Sequence, residues 1–127
     1  MCIRDSPYAA VRAAEILAKS SESISDIFSK FPDSFSTPEL NITVTDENKF
    51  EIVKSFIEGS QLEGEKITID GLRVNFKDGW GLLRASNTTP KLVLRFEGDS
   101  SDSMNRIQEE FISELSRICP EIDINLD

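Results

Sequence analysis

LRVNFKDGWGLLRASNTTPKLVLRF, Leu72 to Phe96, holds three successive strand patterns and the turns that join them. Leu72, Val74 and Phe76 alternate with polar neighbours, as in a strand with one buried face. Lys77-Asp78-Gly79 then supplies turn chemistry, and Trp80 and Leu82, with Ala85 beyond, begin a second strand. After Ser86 to Pro90, Leu92, Val93, Leu94 and Phe96 make the strongest apolar run of the chain. Strands this close together are most simply joined as antiparallel hairpins.

Working outward, Ile67 and Ile69 predict a preceding strand, and Leu40, Ile42 and Val44 alternate with Asn41, Thr43 and Thr45 in an earlier one. Between them, Asp46 is placed to cap a helix carrying Phe50, Val53, Phe56 and Ile57, closed by Gly59. On the C-terminal side, Met104, Ile107, Phe111, Leu115 and Ile118 recur at three and four, predicting a helix over Ser101 to Ile118. The order strand, helix, several strands, helix specifies an α+β fold: an antiparallel sheet of four to five strands with two helices on one face.

The first third reads differently. Pro7 to Lys19 has helical composition, and Ile24, Ile27, Phe28 and Phe31 mark a second short helix stopped by Pro32. Two helices cannot make a core of their own, so residues 1–36 are expected to be the closing helices of a truncated preceding domain. Ser34 to Glu39 reads as an extended connector, since Pro38 holds Thr37 out of the helical region. Residues 37–127 then form the last domain. The connector around Ser36-Thr37-Pro38 offers few residues that could pack, which predicts a hinge. Met1 to Ser6 match no pattern around them and read as a non-native scar.

With 39% hydrophobic and 29% charged residues, the composition of the 127-residue chain is that of an ordinary globular protein. There are 23 acidic and 14 basic residues, a net charge of -9, which opposes a nucleic-acid partner. No apolar run is long enough for a membrane span, and no signal peptide is visible, so a cytoplasmic location is expected. His is absent, which removes the usual general base and the commonest metal ligand. Cys2 and Cys119 lie far apart without partners at metal spacing and read as reduced thiols.

The segment hardest to explain as packing is Gly79 to Pro90. Arg84 presents a planar fork of donors suited to phosphate oxygens. The hydroxyls of Ser86 and Thr88, the Asn87 amide and nearby backbone N–H groups can surround the rest. A plain hairpin turn would also use Ser, Asn and Thr. Trp80 reads as core. Arg95 falls on the sheet face opposite Leu94 and Phe96, where pairing with a carboxylate is the simplest expectation.

The string DGLRVNFKDGWGLLRASNTTPKLVLRFEGD, Asp70 to Asp99, resembles the hallmark of the last domain of the α-D-phosphohexomutase superfamily, in its phosphomannomutase/phosphoglucomutase branch. FSTPEL resembles that family's interdomain connector, and YAAVRAAEILAK followed by SISDIFSKFP resembles the closing helices of its third domain. The phosphoglucosamine branch usually carries Ser-Gly-Thr-Glu-Pro in the loop, so Asn87 and Thr89 favour the mannose/glucose branch.

The resemblance implies an isomerase that interconverts 1-phosphate and 6-phosphate sugars through a bisphosphorylated intermediate. In it the last domain closes over the site and holds the phosphate that is not reacting. By that resemblance, Arg84, Ser86, Asn87 and Thr88 are expected to take that role here. The partners implied are mannose or glucose phosphates and the N-terminal domains of the same enzyme. The family's Ser-His-Asn-Pro, Asp-Gly-Asp-x-Asp-Arg and Gly-Glu-x-Ser-Gly motifs do not occur in the chain. No catalytic residue and no metal ligand are therefore assigned, and Mg2+ is expected only in the full-length enzyme. The fragment is expected to bind without catalysing. The alternative is a stand-alone phosphosugar-binding or interaction module that has lost catalysis. Such a module would begin near Thr37, whereas a fragment carries orphan helices with an exposed apolar face.

Overall fold

A computed structural model describes residues 5–31 and 33–125. The chain forms two compact units, Met1–Asp33 and Ser34–Asp127. The first holds α1 (Asp5–Lys19) and α2 (Ile24–Phe28). Ser23 caps α2 by accepting from the Asp26 N–H at 3.2 Å. No residue from Ser6 to Phe31 is buried, and Tyr8, Val11, Ile16, Ile24, Phe28 and Phe31 are all exposed. Of the six residues read as a scar, Met1 to Arg4 lie outside the described residues, while Asp5 and Ser6 belong to the first turn of α1.

The second unit is an antiparallel sheet with two helices on one face. Its strands are β1 (Phe35–Ser36), β2 (Leu40–Thr43), β3 (Glu65–Ile67), β4 (Leu72–Phe76), β5 (Gly79–Ala85) and β6 (Lys91–Gly98). Their order across the sheet is β1-β6-β5-β4-β3, with β2 also paired to β6. The sheet is thus five strands wide, its β6 edge covered by two short strands in line. Thr37 joins them: its N–H donates to the Phe96 carbonyl at 3.0 Å, and its hydroxyl accepts from the Phe96 N–H at 3.1 Å. Thr37 is buried as a result. The connector therefore does pack, contrary to the expectation from its composition, because its backbone and one hydroxyl satisfy an otherwise open strand edge.

Helices α3 (Lys49–Gly59) and α4 (Ser101–Ile118) cover the face that carries Leu72, Val74, Leu83, Ala85, Leu92, Leu94 and Phe96. Phe111 is the centre of this layer, with ring centroids 5.7 Å from Phe56, 6.5 Å from Phe76 and 5.4 Å from Phe96. Ser100 and Ser103 close a capping box at the start of α4.

Four local readings change. Helix α3 starts later than expected, because Thr45 and Asn48 exchange hydrogen bonds (3.0 and 3.3 Å) and Asn48, not Asp46, is the cap. Its inner face is Lys49, Ile52, Val53 and Phe56, a spacing of three, four and seven, which leaves Phe50 exposed. Strand β5 has the opposite phase to the one expected from Trp80 and Leu82. Leu83 sits between Leu72 and Leu94, so Gly81, Leu83 and Ala85 face the helices, and Trp80 is half-buried on the other side. Ile69 is 93% exposed, since β3 ends at Ile67 and the chain is already turning toward Gly71.

Candidate functional site

The face of the sheet opposite α3 and α4 carries Arg73, Trp80, Leu82, Arg84 and Arg95. Register sets Arg73, Leu82 and Arg95 abreast on β4, β5 and β6, with Arg84 one pleat further along β5. The Arg73 guanidinium lies 4.0 Å from the centroid of the Trp80 ring, a cation–π contact made on this face. Arg95 is exposed and makes no ion pair among the described residues, so the expected carboxylate partner is not there.

Arg84, one residue before the end of β5, has a side chain 25% exposed whose Nη1 lies 3.5 Å from Asp70 Oδ2. That separation is long for a hydrogen bond and leaves the guanidinium fork largely uncommitted. Gly71 explains how Asp70 comes so near. It has φ +80°, and a Cβ built on it would lie 2.7 Å from Arg84 Cα, so only glycine lets this turn rest on the Arg84 backbone.

The loop that follows is organised around the Ser86 hydroxyl. Its Oγ accepts from the Thr89 hydroxyl at 2.7 Å, from the Thr89 N–H at 3.2 Å and, more loosely, from the Thr88 N–H at 3.4 Å. The ends are clamped by Ser86 N–H to the Lys91 carbonyl at 2.9 Å and Lys91 N–H to the Thr89 carbonyl at 2.8 Å. Asn87 and Thr88 sit exposed at the tip, and their side chains make no hydrogen bond among the described residues. The four residues singled out in the sequence, Arg84, Ser86, Asn87 and Thr88, are thus gathered at one end of one hairpin. Two of the backbone N–H groups expected to face a ligand, those of Thr88 and Thr89, are turned inward to Ser86.

Sequence reading missed Lys49. Its side chain is 5% exposed, its Nζ is 2.7 Å from Asp46 Oδ1, and it donates to the Thr89 carbonyl at 3.2 Å. The only signal was its place in a helical stripe otherwise made of Ile52, Val53 and Phe56.

No group of three or more Cys, Asp or Glu residues is arranged to hold a metal ion among the described residues. Cys119 is a free, buried thiol whose pKa is raised by burial, with Glu121 adding to the shift. The reading of Cys2 falls outside the described residues. Among the described residues no helix is long and apolar enough to cross a membrane.

The second unit is, in class, a two-layer α+β domain that presents one arginine and a hydroxyl-rich loop at the end of a sheet. Residues 39–114 match the family model of the phosphoglucomutase/phosphomannomutase C-terminal domain. The chain is 48% identical over 121 residues to a phosphomannomutase/phosphoglucomutase of Pseudomonas putida, covering 94% of this chain and 26% of that protein. It is 48% identical over 110 residues to a phosphoglucomutase of Neisseria meningitidis, covering 84% of this chain and 24% of the relative. A crystal structure of a phosphoglucomutase/phosphomannomutase family protein from Burkholderia thailandensis superposes with a TM-score of 0.74 at 39% identity, over 94% of this chain and 24% of that one. The chain belongs to the phosphoglucomutase/phosphomannomutase family, matching it through the C-terminal domain. It spans about a quarter of the length of the relatives it matches.

Proposed function

We propose that residues 37–127 bind the phosphate of a hexose phosphate, with Arg84, Ser86, Asn87 and Thr88 as the contacts, as part of a mutase that interconverts 1-phosphate and 6-phosphate sugars of mannose or glucose. The observation that carries this reading is the uncommitted Arg84 fork beside an exposed, internally braced tip of Asn87 and Thr88. One guanidinium and a few rotatable donors read charge and tetrahedral oxygen geometry rather than sugar stereochemistry. A loop of that kind can hold either terminal phosphate in turn. The chain's own residues bind and orient; they supply no nucleophile and no metal ligand, so the chain alone is inactive. Mg2+ and the sugar-reading groups belong, in this reading, to the N-terminal domains of a longer cytoplasmic enzyme. The exposed apolar residues of α1 and α2 favour such a piece of a larger protein over a free-standing binding module.

A chimera tests this. Grafting residues 39–114 onto the remainder of the Pseudomonas putida relative is expected to keep mutase activity, and Arg84→Ala in that chimera to lower kcat/KM about a hundredfold. The isolated chain is expected to convert no mannose 1-phosphate. Full activity of the Arg84→Ala chimera would overturn the assignment.

A further inference from the structure

Lys49 sits in the first turn of α3, where a cation opposes the helix dipole, and it is buried, where an ammonium loses hydration. Both costs are avoidable, since a Met or Leu would fill the same stripe beside Ile52, Val53 and Phe56. Asp46 offsets part of the charge, but that carboxylate is itself mostly exposed and is replaceable by water as a partner. What water could not do from this position is fix a backbone carbonyl forty residues away in sequence. The Lys49 ammonium does so at Thr89.

From that contact we propose that Lys49 is the positioning residue of the Ser86–Thr89 loop; the inference rests on the reading of that loop as the phosphate site. The chain of contacts is short. Lys49 Nζ and the Lys91 N–H both donate to the Thr89 carbonyl, at 3.2 and 2.8 Å. The Thr89 N–H and hydroxyl in turn hold the Ser86 oxygen from one side, at 3.2 and 2.7 Å. With its oxygen already accepting from Thr89, the Ser86 hydroxyl keeps its proton to donate, and an anion held by Arg84 would take it. The Val44 N–H bond to the Pro90 carbonyl, 3.0 Å, ties the same loop to the end of β2 but touches neither Ser86 nor Thr89. Lys49 therefore sets the hydroxyl geometry without touching the ligand.

The test uses inorganic phosphate and mannose 1-phosphate as probes with the whole chain, followed by backbone amide shifts, in the wild type, Lys49→Met, Lys49→Arg and Arg84→Ala. Lys49→Met is expected to keep the amide spectrum outside residues 44–49 and 86–91 and to weaken binding of both probes about tenfold. Lys49→Arg, which still offers a donor to Thr89, is expected to recover most of the affinity. A purely structural lysine would lower the unfolding midpoint and leave Kd unchanged, and that result would overturn the proposal while the phosphate reading stood. If the wild type and Arg84→Ala are alike in showing no loop shifts, the phosphate reading fails. The Lys49 contact is then judged in the ligand-free wild type, from a scalar coupling between its Nζ and the Thr89 carbonyl carbon. Absence of that coupling, whether or not Lys49→Met folds, contradicts the positioning role.

Discussion

The ring of Phe111 occupies the space that any side chain on Gly81 would need. A Cβ built at Gly81 would run into Phe111 Cε2 and lie 2.8 Å from Cζ and 2.9 Å from Cδ2, and the ring is hemmed in by Phe56, Phe76 and Phe96. Gly81→Ala is expected to destabilise by about 1–3 kcal/mol, as overpacking does. Phe111→Ala, which empties the same place, is expected to cost about 3–5 kcal/mol. Urea unfolding of the two variants measures both, and a neutral Gly81→Ala would mean that the helix layer can slide off β5.

Thr37 is expected to matter to the sheet edge through its hydroxyl. Thr37→Val keeps the volume but leaves the Phe96 N–H without an acceptor, at a cost of about 1–3 kcal/mol. Hydrogen exchange at Phe96 should accelerate in the variant. An unchanged rate would show that the bond contributes nothing in solution.

The fold was legible where one periodicity dominated. The stripe Met104 to Ile118 gave α4 with its observed ends, and the alternation in β4 and β6 matched their register. It was illegible where two phases compete. Along β5, Trp80 and Leu82 are larger than Gly81 and Ala85, so bulk pointed to the wrong face; only the cross-strand neighbours of Leu83, which are distant in sequence, settle it. Likewise Phe50 outweighs Lys49 on any hydropathy scale, yet the helix buries the lysine. Arg84 and the loop tip were legible as neighbours on one hairpin, and only the family resemblance set them apart from a plain turn. The brace at Lys49 was not, because a contact across forty residues leaves no local pattern.

Glu114 carries a pH dependence. The Arg117 guanidinium, and secondarily the Gln61 N–H, hold its carboxyl well below the ordinary value of 4.5, at about 2. A carboxyl lowered on folding contributes stability that is fully present above the unfolded pKa and is lost as pH falls toward the folded one. The window is therefore about pH 5 to 2. Glu114→Gln is expected to be less stable by about 1 kcal/mol at pH 7, a gap that closes on acidification to pH 2. A gap independent of pH would exclude the ion pair as its cause.

Gly71→Ala joins stability to the site. Position 71 has φ +80°, and a Cβ there would push on Arg84 Cα at 2.7 Å. The variant is expected to lose about 1–3 kcal/mol and to move the amide resonances of Arg84 and Ala85. Unmoved Arg84 and Ala85 signals would show that the Asp70-Gly71 turn does not set the position of the arginine.

The phosphate assignment itself meets its most direct test in a titration of the chain with mannose 1-phosphate and glucose 1-phosphate, followed by backbone amide shifts in the wild type and in Arg84→Ala. Weak binding is expected, since one domain supplies only part of a shared cleft. Saturable shifts confined to Leu83 through Pro90 and abolished in Arg84→Ala are the expected result. Shifts that saturate elsewhere, or that persist without the Arg84 guanidinium, would contradict it.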